Sequence, residues 1–214
     1  MTAFAMSLIL LGDKGRSAMT ILMVPGFNNS GPEHWQSRWE ATLDHVERVQ
    51  QEHWDAPELD IWLAVLAHHV KSRPGAILVG HSLGATLIAH LALRHPDLDV
   101  GGALLVAPAD PDVRRSRVPG IGSFGPLPIE PLGFPAILVA SRTDPHMAQD
   151  RARIVANLWE AAFVDAGEAG HINVASGHGA WPAGLRWLSR LQVRQRAIAQ
   201  PPLSRPSTRA RHSA

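Results

Sequence analysis

Apolar residues along the chain fall into two alternating patterns. Short unbroken runs of aliphatic and β-branched residues occur at Thr20–Val24, Ala76–Val79, Ala103–Val106 and Ala136–Ala140, with weaker ones at Val46–Val49 and Ala162–Val164. Apolar runs of this length without polar alternation suit strands covered on both faces, as in a parallel sheet. Between them lie amphipathic stretches of helical length, roughly at 58–72, 83–95, 147–160 and 181–193. An earlier one opens on Ser30-Gly31-Pro32-Glu33, where Ser and Glu have the spacing of a reciprocal capping box and Pro falls in the first turn. The repeated strand–helix order predicts an α/β domain: a doubly wound, mostly parallel sheet of about six strands with helices on both faces.

One connection departs from this rhythm. Residues 107–135 hold seven prolines and four glycines and show no helical period. A loop of that length inside a compact domain is uncommon and often functional. The chain divides into three parts. Residues 1–18 read as an N-terminal extension, because the first convincing strand starts just after Met19, an alternative start. Residues 19–193 hold the α/β domain. Residues 194–214, rich in Arg, Pro and Ser and without aromatics, predict a disordered tail. Ala3–Leu11 has the length of a signal-peptide core, but no basic segment precedes it and Asp13 and Lys14 follow at once, so no secretory signal is expected.

Composition narrows the function classes. The 214 residues suit one domain. Cysteine is absent, which removes disulfides and thiolate metal sites and fits a reducing, cytoplasmic location. The net charge of +1 hides an asymmetry: residues 194–214 carry five arginines and no acid, leaving 15 basic against 19 acidic residues elsewhere. A body of that sign cannot track a phosphate backbone, so nucleic acid is not an expected partner. No apolar run reaches the roughly 18–20 residues that span a bilayer, so no membrane partner is expected either. The histidines, His68 and His69 included, lack metal-binding spacing, so no metal is expected. The oligomeric state is not legible.

The chemistry lies at the strand ends. Ala76–Val79 runs into Gly80-His81-Ser82-Leu83-Gly84, and a helical pattern starts at once. This is the strand, sharp turn and helix that a G-x-S-x-G nucleophile requires: the serine sits at a strained tip with its hydroxyl exposed, above a helix N-terminus. Ser82 is the candidate nucleophile. The Leu83 N–H would face a developing oxyanion, with a second donor, Phe27 or Asn28, from Val24-Pro25-Gly26-Phe27-Asn28-Asn29. Such a serine needs an acid and a histidine later in the chain. Asp144 follows the strand Ala136–Ala140 in a turn stiffened by Pro145, and is favoured over Asp150 and Asp165. His171, in the glycine-flanked loop after the last strand, is favoured over His178. Trp35 and Trp39 share a helix face, as core or as a pocket wall. His81 reads as a packed neighbour of the nucleophile and not as a base.

Several stretches together resemble the serine hydrolases similar to retinoblastoma-binding protein 9, the bacterial branch especially. They are Pro25-Gly26, Ser30-Gly31-Pro32-Glu33-His34-Trp35-Gln36 with Trp39-Glu40, Gly80-His81-Ser82-Leu83-Gly84, Ala140-Ser141-Arg142-Thr143-Asp144-Pro145, and Gly170-His171-Ile172-Asn173 with Gly177 and Trp181-Pro182. The likeness covers roughly Met19 to Leu191. It implies a compact α/β-hydrolase without a large cap domain and a Ser82–Asp144–His171 triad, in a family of hydrolases whose natural substrate is generally undefined. The site residues themselves predict cleavage of a small ester, amide or thioester through an acyl-enzyme, with no cofactor required. His178 departs from the pattern, since relatives usually carry an aromatic there, which puts the local pocket shape in question. Two other classes stay open: a binding or scaffold protein that retains a triad, and an acyltransferase or peptidase using the same site.

Overall fold

The computed structural model describes residues 19–114 and 120–199. Six strands form one sheet: β1 (Ile21–Val24), β2 (Val46–Arg48), β3 (Ala76–His81), β4 (Val100–Val106), β5 (Ala136–Ala140) and β6 (Ala162–Asp165). Every pairing is parallel, in the order β2-β1-β3-β4-β5-β6. The winding reverses between β1 and β3, and a crevice opens there at the carboxyl ends, where such sheets place their ligands. The helices are α1 (Trp35–Thr42), α2 (Leu59–Ser72), α3 (Leu83–Arg94), the single turn α4 (Pro111–Arg114), α5 (Gln149–Leu158) and α6 (Pro182–Ala199).

Strand residues alternate between the two faces, so each continuous apolar run feeds two cores. Leu22, Leu78, Leu105 and Leu138 pack with Trp62 and Leu66 of α2, Leu87 and Leu91 of α3 and Val155 of α5. Ile21, Met23, Ile77, Val79 and Leu104 pack on the other face with Trp35 and Trp39 of α1, Trp181, and Leu188 and Leu191 of α6. This double coverage is why the central strands lack polar alternation. No helix among the described residues is long and apolar enough to cross a membrane.

Three expectations are corrected. The first helix begins at Trp35, not at Ser30-Gly31-Pro32-Glu33, and its N-cap is His34, whose Nδ1 accepts from the Gln36 N–H at 3.2 Å. The residues of the supposed capping box are engaged elsewhere: the Ser30 hydroxyl donates to Gln36 Oε1 at 2.6 Å, and Glu33 pairs with Arg38. The last helix runs six residues past Val193, the boundary read from composition. Gln195 packs where Gly101 has no side chain, and a Cβ there would come within 2.8 Å of its Nε2. Segment 107–135 has local structure after all: α4 and a 3-10 turn at Ile121–Phe124. The readings of residues 1–18 and 200–214 lie outside the described residues.

Candidate active site

Ser82 stands between β3 and α3, as the N-cap of the helix, with φ 55 and ψ −123. A non-glycine residue in this region stores about 1–3 kcal/mol and persists only where its surroundings enforce it. They do so from both sides. The Ser82 N–H donates to the Val106 carbonyl at 3.0 Å, and its carbonyl accepts from the Ala85 N–H at 3.0 Å. Helix α3 is pressed so close to the end of β1 that a Cβ on Gly84 would lie 2.0 Å from the Val24 carbonyl oxygen. The loop after β1 is equally tight, since a Cβ on Gly26 would lie 2.9 Å from that of Ser82. Backbone contact at two glycines thus fixes where the serine projects.

Two loops bring the remaining groups together. His171 follows β6, and its Nε2 lies 2.9 Å from Ser82 Oγ. Its Nδ1 lies 3.0 Å from each oxygen of Asp144, whose side chain is only 3% exposed. Asp144 Oδ1 also accepts from the His146 N–H at 2.8 Å. Asp150 falls in α5, and Asp165 is occupied by Arg142 at 2.7 Å and by the Gly167 N–H at 2.8 Å. The turn carrying Asp144 also holds the histidine loop. Ser141 Oγ accepts from the Ala169 N–H at 2.9 Å, and Thr143 Oγ1 from the Gly170 N–H at 3.0 Å. From beneath, His81 Nε2 donates to the His171 carbonyl at 2.9 Å, and Trp35 Nε1 donates to the Ile172 carbonyl at 2.9 Å.

A pocket of about 240 Å³ opens beside Ser82, lined among others by Phe27, Leu83, Ala109 and Ile121. Of the two candidates for a second oxyanion donor, the Asn28 N–H is already given to the Trp54 carbonyl at 2.9 Å, while Phe27 lines the pocket with Leu83. The two tryptophans are not pocket walls. Trp35 and Trp39 are 0% and 2% exposed and pack on Trp181 under the sheet. His178 does not reach Ser82 either: it bonds Ser176 Oγ at 3.2 Å and faces a separate surface cavity with Trp181 and Arg186. Sequence reasoning passed over His34, His146, Asn29 and Asn173, which do line the pocket. Three of them, Asn29, His34 and Asn173, stand in the stretches quoted above, and all four lie within two residues of a singled-out residue.

Burial dominates the titration of the nearby imidazoles. It lowers the His34 pKa to about 4, with Arg48 and His171 adding like-charge repulsion. His81 is lowered well below 6.5, first by burial and then by His171 and His34, and His90 is lowered mainly by burial. These rings are neutral when folded, whereas unfolded histidines titrate near 6.5. The unfolded chain therefore binds more protons between those values. For His34 this stability is complete above about pH 6.5 and is lost as pH falls toward 4, at up to about 1.4 kcal/mol per unit, and His81 and His90 act in the same direction. Urea unfolding at pH 7, 6 and 5 should show this loss. His34→Gln should make the slope between pH 6 and 5 shallower by about 1 kcal/mol per unit; an unchanged slope would mean that His34 is charged in the folded state.

The profile of the serine hydrolase family matches residues 21–190. A YdeN-like hydrolase from Pectobacterium atrosepticum is 36% identical, with 83% of this chain and 92% of that one covered and a TM-score of 0.73. The ydeN gene product of B. subtilis is 20% identical over 82% of this chain and 100% of that one, with a TM-score of 0.63. Est1E from Butyrivibrio proteoclasticus, solved with ferulic acid bound, shares the fold at 13% identity, covering 86% of this chain and 90% of that one with a TM-score of 0.64. No curated protein matches the chain. With the family profile spanning all six strands and the loops that carry Ser82, Asp144 and His171, the chain belongs to the serine hydrolase family.

Proposed function

We propose that this chain hydrolyses small acyl esters through a Ser82–His171–Asp144 triad, and that within the serine hydrolases it stands near retinoblastoma-binding protein 9 and acts in the cytoplasm. One observation carries the reading: the unbroken line from Ser82 Oγ through His171 to a buried Asp144, at 2.9 Å and 3.0 Å. His171 Nε2 takes the hydroxyl proton as Ser82 Oγ bonds to the substrate carbonyl carbon. The N–H groups of Leu83 and Phe27 face the oxygen that becomes negative. Collapse breaks the bond to the leaving oxygen, which receives the proton from His171. Water then gives a proton to the same nitrogen and attacks the acyl carbon; collapse breaks the bond to Ser82 Oγ, which takes that proton back from His171. Asp144 fixes the imidazole tautomer and stabilises the imidazolium throughout. No step calls for a metal or organic cofactor. Labelling of the purified protein by a fluorophosphonate probe, mapped to Ser82, tests the reading. An unlabelled protein without esterase activity would instead be a binding protein that retains a triad.

The pocket of roughly 240 Å³ must take the acyl chain beside the leaving group, which favours a short acyl chain. Ala109 and Ile121 form one wall, and the described residues Ala109, Phe124 and Pro128 of the proline-rich segment are each bonded to the body. Thr86 Oγ1 donates to the Ala109 carbonyl at 2.7 Å, His90 Nε2 to the Phe124 carbonyl at 2.8 Å, and Trp159 Nε1 to the Pro128 carbonyl at 2.8 Å. Such a wall does not swing aside as a lid. In a series of p-nitrophenyl esters, kcat/KM is expected to peak between acetyl and butyryl and to fall for chains of about ten carbons. A maximum at long chains would require an apolar tunnel that the pocket does not have.

A further inference from the structure

The pocket has two chemically different sides. Phe27, Leu83 and Ile121 belong to the core on the α2, α3 and α5 face. His34 and Asn173 lie over the opposite face: the His34 ring is 5.2 Å from that of Trp35, and Asn173 follows Ile172, both members of the second core. This is the side of His171. A group that His171 protonates must lie there, so the apolar side receives the acyl chain and the polar side the leaving group.

Three side chains on the pocket wall have their acceptor atoms already occupied. Asn29 Oδ1 accepts from the Ser30 N–H at 2.7 Å and from Arg48 Nη1 at 2.9 Å. Only an oxygen can accept from both, so the Asn29 amide nitrogen is the free end. Asn173 Oδ1 accepts from the Ser176 N–H at 3.1 Å, which again leaves the NH₂. His34 Nδ1 accepts from the Gln36 N–H, so in the neutral ring the proton sits on Nε2, a buried nitrogen with no partner among the described residues. An unmet buried donor is destabilising, and the cost is recovered when an acceptor arrives. The Arg48 guanidinium, bonded to Glu40, Ser37 and Asn29, holds this arrangement in place from behind. Three donors fixed by their own backbone and Arg48 contacts suit a ligand group that only accepts.

Building on the hydrolase reading above, we propose that the preferred substrates are esters whose leaving group carries a carboxylate close to the ester oxygen, bound by the amides of Asn29 and Asn173 and the imidazole of His34. The scissile chemistry is unchanged: the C–O bond breaks, His171 supplies the proton to the leaving oxygen, and a short hydroxy acid departs.

The test uses the full chain and three acetyl esters of similar size, those of glycolate, ethylene glycol and choline, followed by titration of the released acid. Each kcat/KM is divided by that ester's rate with hydroxide alone, to remove intrinsic reactivity. The normalised value for the glycolate ester is expected to exceed that for ethylene glycol by about tenfold or more, with the choline ester lowest. Asn173→Asp keeps the acceptor that Ser176 needs but turns a second oxygen toward the pocket. It should reverse the order of the glycolate and choline esters, and Asn29→Asp should shift the ratio the same way. Equal normalised values, or a ratio unmoved in both variants, overturn the inference while fluorophosphonate labelling at Ser82 leaves the hydrolase reading standing. Absence of both labelling and turnover overturns the two together.

Discussion

Ser82→Ala is expected to lower kcat for p-nitrophenyl butyrate by about 10⁵–10⁶-fold and to abolish fluorophosphonate labelling, with the fold intact. In the proposed mechanism the hydroxyl oxygen is the atom that bonds to the acyl carbon, and it is the atom that His171 Nε2 meets at 2.9 Å. The fold should tolerate the change because the enforced φ of 55 comes from backbone contacts to Val106 and Ala85, which alanine keeps. Only the Oγ–Nε2 bond is lost, worth about 1 kcal/mol. His171→Ala should lose a similar factor, and the double variant should be no worse than either single one, because residues acting as a unit do not contribute additively. His178→Ala should remain active, since that ring faces another cavity. Hydrolysis by Ser82→Ala above about 1% of the parent rate would mean that another group is the nucleophile.

The doubly wound, parallel character of the sheet was legible because burial on both faces writes itself into the sequence as unbroken apolar runs, whereas the order of the strands was not. The turn that carries the candidate site was legible for a related reason. A serine at a strained strand–helix turn needs small residues on either side, and Gly80 and Gly84 mark that turn without knowledge of the rest of the fold. Where the reading failed, a short-range rule was outvoted by contacts distant in sequence. Ser30 and Glu33 have the spacing of a capping box, but Gln36 claims the Ser30 hydroxyl as its amide nitrogen reaches across to the Val79 carbonyl at 3.0 Å. Trp35 and Trp39 share a face as expected, but nothing in their spacing says that the face turns toward α6 and away from Ser82. What Trp35 does for the site, holding the Ile172 carbonyl 137 positions away, is a tertiary fact. The donor set of Asn29, His34 and Asn173 was equally hidden, because each amide or ring is polarised by a partner that only the folded chain supplies.

Asp144→Asn is expected to leave the structure in place and yet lower kcat about 10⁴-fold at neutral pH. The reason lies in a hydrogen bond outside the Ser82–His171–Asp144 line. The His146 N–H donates to Asp144 Oδ1 at 2.8 Å, and an N–H can only donate. In the variant the carboxamide oxygen must therefore occupy the Oδ1 position, and the NH₂ group falls at the Oδ2 position, 3.0 Å from His171 Nδ1. At the Oδ1 position the carboxamide oxygen also lies 3.0 Å from Nδ1, so it and the NH₂ group compete for that nitrogen; where the NH₂ donates, Nδ1 becomes the acceptor and the ring proton moves to Nε2. That nitrogen then donates to Ser82 Oγ across 2.9 Å and has no lone pair with which to take the hydroxyl proton. The same swap removes the negative charge that stabilises the imidazolium in each transition state. Asp144→Ala leaves the tautomer unforced and should lose less than the asparagine variant, despite removing more atoms. Proton NMR of the ring N–H resonances, with kcat for both variants, decides the matter. A ring proton that stays on Nδ1 in Asp144→Asn, or an alanine variant slower than the asparagine one, would show that Asp144 acts by charge alone and not by fixing the tautomer.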